Sequence, residues 1–161
     1  MIKTYERIPG IVVFELSSST FCINLDDVYL IKNIKEISQG EMPGQFNNGY
    51  IWLNNSKIIL IDLAKYFDLP AVSLHPSSRI ILINHFIVDG ELTLRYGFMA
   101  DKVNEIIILG SNRNYEILNS TKSKNGGFLM GSLLFENKKL LMPDFSKIGA
   151  FLLENKINCS N

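Results

Sequence analysis

The sequence predicts a mainly β protein: two similar barrels of about five strands each, packed side by side, with short helices. Three observations carry this expectation. The apolar segments are short and rich in Val, Ile, Phe and Tyr, and Asn, Ser, Gly and Asp break them at close intervals, which marks strands and tight turns. One stretch of the first half recurs in the second half. Hydrophobic residues make up 47% of 161, enough to bury a core in one domain or two small lobes.

Taken in order, strands are expected near 10–17, 20–25, 28–34, 47–54, 57–62, 79–86, 92–100, 103–109, 128–135 and 138–143. Asn54-Asn55-Ser56 and Glu136-Asn137-Lys138 are polar breaks between apolar runs, so each is read as a hairpin turn. A first helix should start at Asp62, whose carboxylate can cap the free amides of the next turn, and stop before Pro70. A second should cover about 146–156, where Ile148, Phe151 and Leu152 share one face. Residues 71–78 and 110–127 read as connectors; the second is rich in Asn, Ser and Lys, and long enough to be functional.

The recurrence is the most informative feature. Gly49-Tyr50-Ile51-Trp52-Leu53-Asn54-Asn55-Ser56-Lys57 and its continuation to Leu63 align without a gap on Gly131 to Phe145, at an offset of 82 residues. Gly, Asn, Lys and Asp recur at matching places. A weaker match, offset by 75, sets Phe21 to Val28 over Tyr96 to Val103. A duplicated β unit explains both matches, and closing each unit into a barrel removes exposed sheet edges. The expected layout is a tail over 1–9, a first barrel over 10–70, a connector over 71–78, a second barrel over 79–148, and a C-terminal helix and tail over 149–161. Strands are free to cross between the barrels, and a groove should run between them.

Charge and hydropathy exclude several function classes. Sixteen basic residues balance sixteen acidic ones with no basic face, which argues against a nucleic-acid partner. The first residues lack the apolar core of a signal peptide, and the apolar runs are far shorter than the ~20 residues of a membrane helix. A cytoplasmic location without membrane insertion is expected. Cys22 in a strand and Cys159 near the end do not suggest a disulfide framework.

Reactive constellations are scarce. His75 beside Pro76, and His85 at a strand end, lack metal-site spacing and read as structural or exposed. Cys22 reads as a small buried hydrophobe. The equivalent Asp62 and Asp144 could be imagined as an acid–base pair, but helix capping explains both; Asp26, Asp27 and Asp101 end strands, where carboxylates cap turns. No catalytic, metal or cofactor site is expected. What remains is surface: Tyr29, Phe46, Tyr50 and above all Trp52, the single tryptophan, are residue types that anchor protein contacts. For Trp52 a core position is the competing reading.

The order of elements resembles the CheW family of chemotaxis adaptors. Phe21-Cys22-Ile23-Asn24-Leu25 followed by Val28-Tyr29-Leu30-Ile31 is similar to the family's opening strand pair with its Val-x-x-Ile. Gly49 to Asn55, then Ile58 to Leu63, stand where the family has Gly-Val-Ile-Asn-Leu-Arg-Gly, an apolar strand and Ile-Asp-Leu. Gly97 to Val103 match a later Gly-x-x-x-Asp-x-Val, and Gly131 to Asp144 match the closing hairpin.

The resemblance implies two five-stranded SH3-like barrels and a non-enzymatic adaptor. Such an adaptor couples the regulatory domain of a CheA-type histidine kinase to the cytoplasmic tip of methyl-accepting chemoreceptors. It implies a partner surface at Val28, Leu30, Gly49, Trp52, Asn54 and Asn55. Only Val28 keeps the family residue among the receptor-contact positions. A family Glu is Leu30, the turn Arg-Gly is Asn54-Asn55, and a family Asn is Trp52. Asn54 cannot make the bidentate bonds of a guanidinium, although Asn-Asn still suits a tight turn. Two alternatives stay open: an adaptor for a pilus or gliding pathway, and a small-ligand-binding double barrel.

Overall fold

The computed structural model describes residues 10–36, 47–72, 75–89, 92–109, 115–119 and 127–159. Eleven strands and two helices are found among them. The strands are β1 (Gly10–Leu16), β2 (Ser19–Asn24), β3 (Val28–Asn33), β4 (Asn47–Leu53), β5 (Ser56–Ile61), β6 (Arg79–Asp89), β7 (Leu92–Ala100), β8 (Lys102–Ile108), β9 (Tyr115–Asn119), β10 (Leu129–Phe135) and β11 (Lys138–Pro143). The helices are α1 (Leu63–Tyr66) and α2 (Phe145–Cys159). The expected ten strands are present. β9 is an addition inside the stretch read as a connector, where the polar residues on either side of Tyr115–Asn119 hide a five-residue strand.

The strands form two sheets, ordered β8-β1-β2-β11-β10-β9 and β3-β6-β7-β5-β4. The segments 10–70 and 79–148 are therefore not the units of pairing. The five-stranded sheet is one continuous piece of chain, β3 to β7. The six-stranded sheet joins β1 and β2 to β8 through β11. In terms of the repeat, each copy lends its first strand pair to the other.

The register makes the exchange concrete. The parallel joint of one sheet pairs Leu141 with Phe21, and that of the other pairs Ile59 with Tyr96. Both pairs are equivalent under the two sequence offsets, so the 75 and 82 matches meet at the same structural joint. Gly97 sits on this joint, and a Cβ there would lie 2.6 Å from the Ile81 carbonyl oxygen, so only glycine lets β7 approach β6 this closely.

Three cores follow from strand alternation. Between the sheets, Val12, Phe14, Phe21, Ile61, Ile81, Tyr96 and Phe98 pack with Phe145 and Ile148. The inner face of the six-stranded sheet buries Ile11, Cys22, Ile107, Leu133, Leu140 and Met142. That of the five-stranded sheet buries Ile51, Ile58, Leu60, Ile80, Leu82 and Met99. Aromatic rings pack the core where the two sheets meet: Phe14 and Phe98 stand 5.0 Å apart, and Phe98 stacks on Phe145 at 5.8 Å. α2 buries Ile148 and Leu152 as its apolar spacing predicts.

The two expected caps part company. Asp144 accepts the Lys147 amide on its side chain at 3.1 Å, while its backbone carbonyl takes Ile148 N–H. Asp62 stands at the N-cap of α1 but forms no side-chain cap. The amide it would accept, that of Lys65, donates instead to the Asp62 backbone oxygen at 3.1 Å, closing a single turn. Its buried Oδ1 has no hydrogen-bond partner among the described residues. At Leu25–Asp27 the capping side chain is Asn24, which accepts Asp26 N–H at 3.0 Å, rather than either aspartate. Asp101 does hold a turn, that of Ser17 between β1 and β2, whose amide it accepts.

Candidate partner-binding surface

β4 and β5 form a hairpin closed by two residues. Asn54 and Asn55 lie at φ 49° and 66°, the left-handed pair that a two-residue turn requires and that asparagine tolerates. This tight closure fixes alternation along β4: Ile51 is buried at 1%, while Trp52 is 56% exposed. The Trp52 ring meets Tyr50 edge-on at 5.9 Å, and Lys57 Nζ lies 4.3 Å from the Tyr50 ring centre. The cation and two aromatic rings form an amphipathic ledge held by the hairpin backbone. The core reading of Trp52 does not hold.

The other expected positions do not join this ledge. β3 and β4 are opposite ends of the five-stranded sheet. Val28 is half-buried against the core between the sheets, and Leu30 against the core of the five-stranded sheet. A register shift between Val28 and Leu30 explains why residues two apart face different cores. The apolar patch expected around Val28, Leu30 and Trp52 is thus not one exposed face. Gly49 follows a second shift, between Asn47 and Gly49, and pairs with Leu60. On the β3 side the exposed group is Tyr29, with the Arg95 guanidinium carbon 3.6 Å from its ring centre. Phe46 lies outside the described residues.

Sequence reasoning missed three exposed aliphatics, Ile106, Ile108 and Leu118, on the edge strands β8 and β9. Ile106 pairs with the fully buried Val12, so it continues the inter-sheet face beyond the area the other sheet covers. A strand with three consecutive isoleucines gives no hint of which of them the edge leaves uncovered.

Reactive groups stay apart or serve structure. Ser77 Oγ stands 2.5 Å from His75 Nδ1 and 3.1 Å from the Asp101 carbonyl oxygen, and His75 Nε2 is 3.8 Å from Asp101 Oδ1. The three residue types suggest a nucleophilic triad, but 3.8 Å is too long for an orienting hydrogen bond. The group clasps the connector to the β7–β8 turn. Burial pushes the Cys22 thiol up to about 12, so it is not a nucleophile near neutral pH. Tyr66 and Tyr96 are likewise pushed up, mainly by burial; Tyr96 donates its hydroxyl to the Phe145 carbonyl at 2.9 Å. Among the described residues no group of three or more His, Cys, Asp or Glu could hold a metal ion, and no helix is long and apolar enough to cross a membrane.

Two sheets with packed cores, built from a repeated strand unit, define a two-sheet β protein. The chain belongs to the CheW-like domain family, whose model matches residues 10–150. It is also similar to the scaffolding protein TtCheW from Thermoanaerobacter tengcongensis, at 25% identity and a TM-score of 0.68, over 85% of this chain and 89% of that one. No curated protein sequence matched. The family and this fold support a chemotaxis adaptor.

Proposed function

We propose that the protein couples a CheA-type histidine kinase to methyl-accepting chemoreceptors, in the cytoplasm and without chemistry of its own. Membership of the CheW-like family over residues 10–150 carries the reading. The filled cores support it against the ligand-barrel alternative: aliphatic side chains occupy both sheet interiors, and aromatic rings close the space between them.

Within this reading, the β4–β5 hairpin is the partner surface, with Trp52, Asn54 and Asn55 exposed on it and Gly49 setting its register. Val28 and Leu30 support the opposite edge from within. Titration calorimetry against the regulatory domain of a CheA kinase from the same organism tests the reading, with micromolar, one-to-one binding expected. No heat at high protein concentration would overturn the kinase assignment. A Trp52→Ala variant that binds kinase and receptor tip as tightly as the parent would overturn the surface.

A further inference from the structure

Three segments distant in sequence meet at Asp101, in the turn between β7 and β8. Its Oδ2 accepts the Ser17 amide of the β1–β2 turn, and its own amide donates to the Glu15 carbonyl at 2.9 Å. On the other side lies the connector before β6. There Ser77 Oγ donates to the Asp101 carbonyl at 3.1 Å, and His75 Nε2 stands 3.8 Å from Asp101 Oδ1. The connector is itself tightly folded: the His75 amide donates to Ser78 Oγ at 3.1 Å, and the Ser78 amide donates to the His75 carbonyl at 2.9 Å. The β1–β2 turn benefits from an outside hold, because Ser17 and Ser18 lie at φ 50° and 69°, a left-handed pair that serine adopts less readily than asparagine or glycine.

The hydrogen-bond directions assign the state of the ring. Ser77 has one hydroxyl proton and gives it to the Asp101 carbonyl, so its contact with His75 Nδ1 at 2.5 Å requires a proton on Nδ1. In the neutral ring Nε2 then carries a lone pair, which faces the oxygen lone pairs of the Asp101 carboxylate. Neither atom has a proton to share, which accounts for a gap of 3.8 Å in place of a hydrogen bond.

We propose that protonation of His75 closes this gap, making the group an acid-tightened clasp that joins the connector, the β7–β8 turn and the β1–β2 turn. The second proton on the ring falls on Nε2, where it meets Asp101 Oδ1. A move of about one ångström brings the pair to the ~2.7–2.9 Å of a charge-assisted hydrogen bond. No existing bond is lost: Nδ1 keeps Ser77, and Oδ2 keeps the Ser17 amide. The His75 side chain is 41% exposed, so solvent protons reach it, while Asp101 is 20% exposed. The other charges packed around the pair, among the described residues, are already engaged. Arg79 on β6 directs Nη1 to the carbonyls of Pro76 and Ser78 at 2.8 Å each. Lys102 and Asn104 on β8 both turn to Glu15 Oε2, at 3.7 and 2.7 Å. Histidine as a residue type changes charge between about pH 5 and 8. A cation that gains a carboxylate on folding stabilises the fold at the acid end of that range, and the contribution is lost as pH rises. The clasp needs no partner, so it stands apart from the adaptor reading.

Nitrogen-15 spectra of the imidazole and melting curves test the clasp together. At about pH 8 the neutral His75 ring should show the Nδ1–H tautomer. On acidification to about pH 5, the parent should gain roughly 1–4 °C in melting temperature relative to His75→Gln, the range of one half-exposed ion pair in a domain of this size. His85 is present in both proteins, so its own titration cancels in the comparison. Asp101→Asn keeps an oxygen for the Ser17 amide and removes the charge, so in that background the relative gain should vanish. Three outcomes overturn the proposal: an Nε2–H tautomer in the neutral ring, the same pH response in the parent and His75→Gln, or a gain that survives Asp101→Asn. The tautomer is read on the parent protein alone and stands even where a variant folds poorly.

Discussion

The hairpins β4–β5 and β10–β11 are two copies of one design put to different uses. Where the barrel needs a property, both keep it. Ile51 and Leu133 are buried at 1% and 0%, Ile58 and Leu140 at 2% each, and the lysine after the turn, Lys57 or Lys139, stays outside. Where the barrel is indifferent, they diverge. Trp52 is exposed while its counterpart Leu134 is half-buried beside β9, and Asp144 caps a fifteen-residue helix while Asp62 precedes a single turn. The shared features hold the fold, and the divergence falls on the exposed face of the hairpin and on the helix that follows it.

The largest test of shared function lies in the cores. Ile51→Ala and Leu133→Ala should each cost roughly 2–5 kcal/mol in a denaturant melt. A large cost at one and a negligible cost at the other would break the equivalence.

Next comes the joint between the copies, where Cys22 of one stands at the place of Gly97 in the other. Gly97→Cys, which installs the other copy's side chain, should cost roughly 1–3 kcal/mol, because its Cβ meets the Ile81 carbonyl at 2.6 Å. At Cys22 the thiol's pKa rises from 9.0 to about 12 on burial, so the folded state keeps its proton where the unfolded chain loses it. This contribution is fully present below pH 9.0 and is lost as pH rises toward 12; an alkaline titration of melting temperature should fall less steeply for Cys22→Ala.

The caps follow in size. Asp144→Ala should cost about 1 kcal/mol and Asp62→Ala close to nothing, since only the former loses a bond to an amide. Equal losses would show that Asp62 caps after all.

The smallest effects belong to the turns and the exposed ring. Glu136 at φ 49° has no asparagine-like ease in the left-handed region, so Glu136→Gly should stabilise by up to ~1 kcal/mol and Asn54→Gly by less. Trp52→Ala should stay within about 0.5 kcal/mol of the parent, the usual range for a surface change.

Alternation and repetition made most of the fold legible. Ten strands and both helices were readable because short β-rich runs and polar turn residues act locally. β9 was not, since five residues within a polar stretch carry too little periodicity to stand out. Strand crossing between the barrels stayed an open option for a different reason: a repeat shows which segments are equivalent, and says nothing about which copy each one pairs with. The site was half legible. Trp52, Asn54 and Asn55 follow from turn chemistry and alternation. Leu30 is half-buried against the core of the five-stranded sheet because a register shift follows Val28, and such a shift leaves no mark on Val28-Tyr29-Leu30.

Because the five-stranded sheet is a continuous piece of chain set inside the six-stranded one, the order of synthesis matters. On a ribosome, β3 to β7 can pair once Ala100 has cleared the exit tunnel, whereas β2 must wait for β11, which ends at Pro143. During that interval Ile11, Val13 and Cys22, whose core Leu133, Leu140 and Met142 complete, stay open to water, so the first hairpin carries an uncovered apolar face until the chain is almost finished.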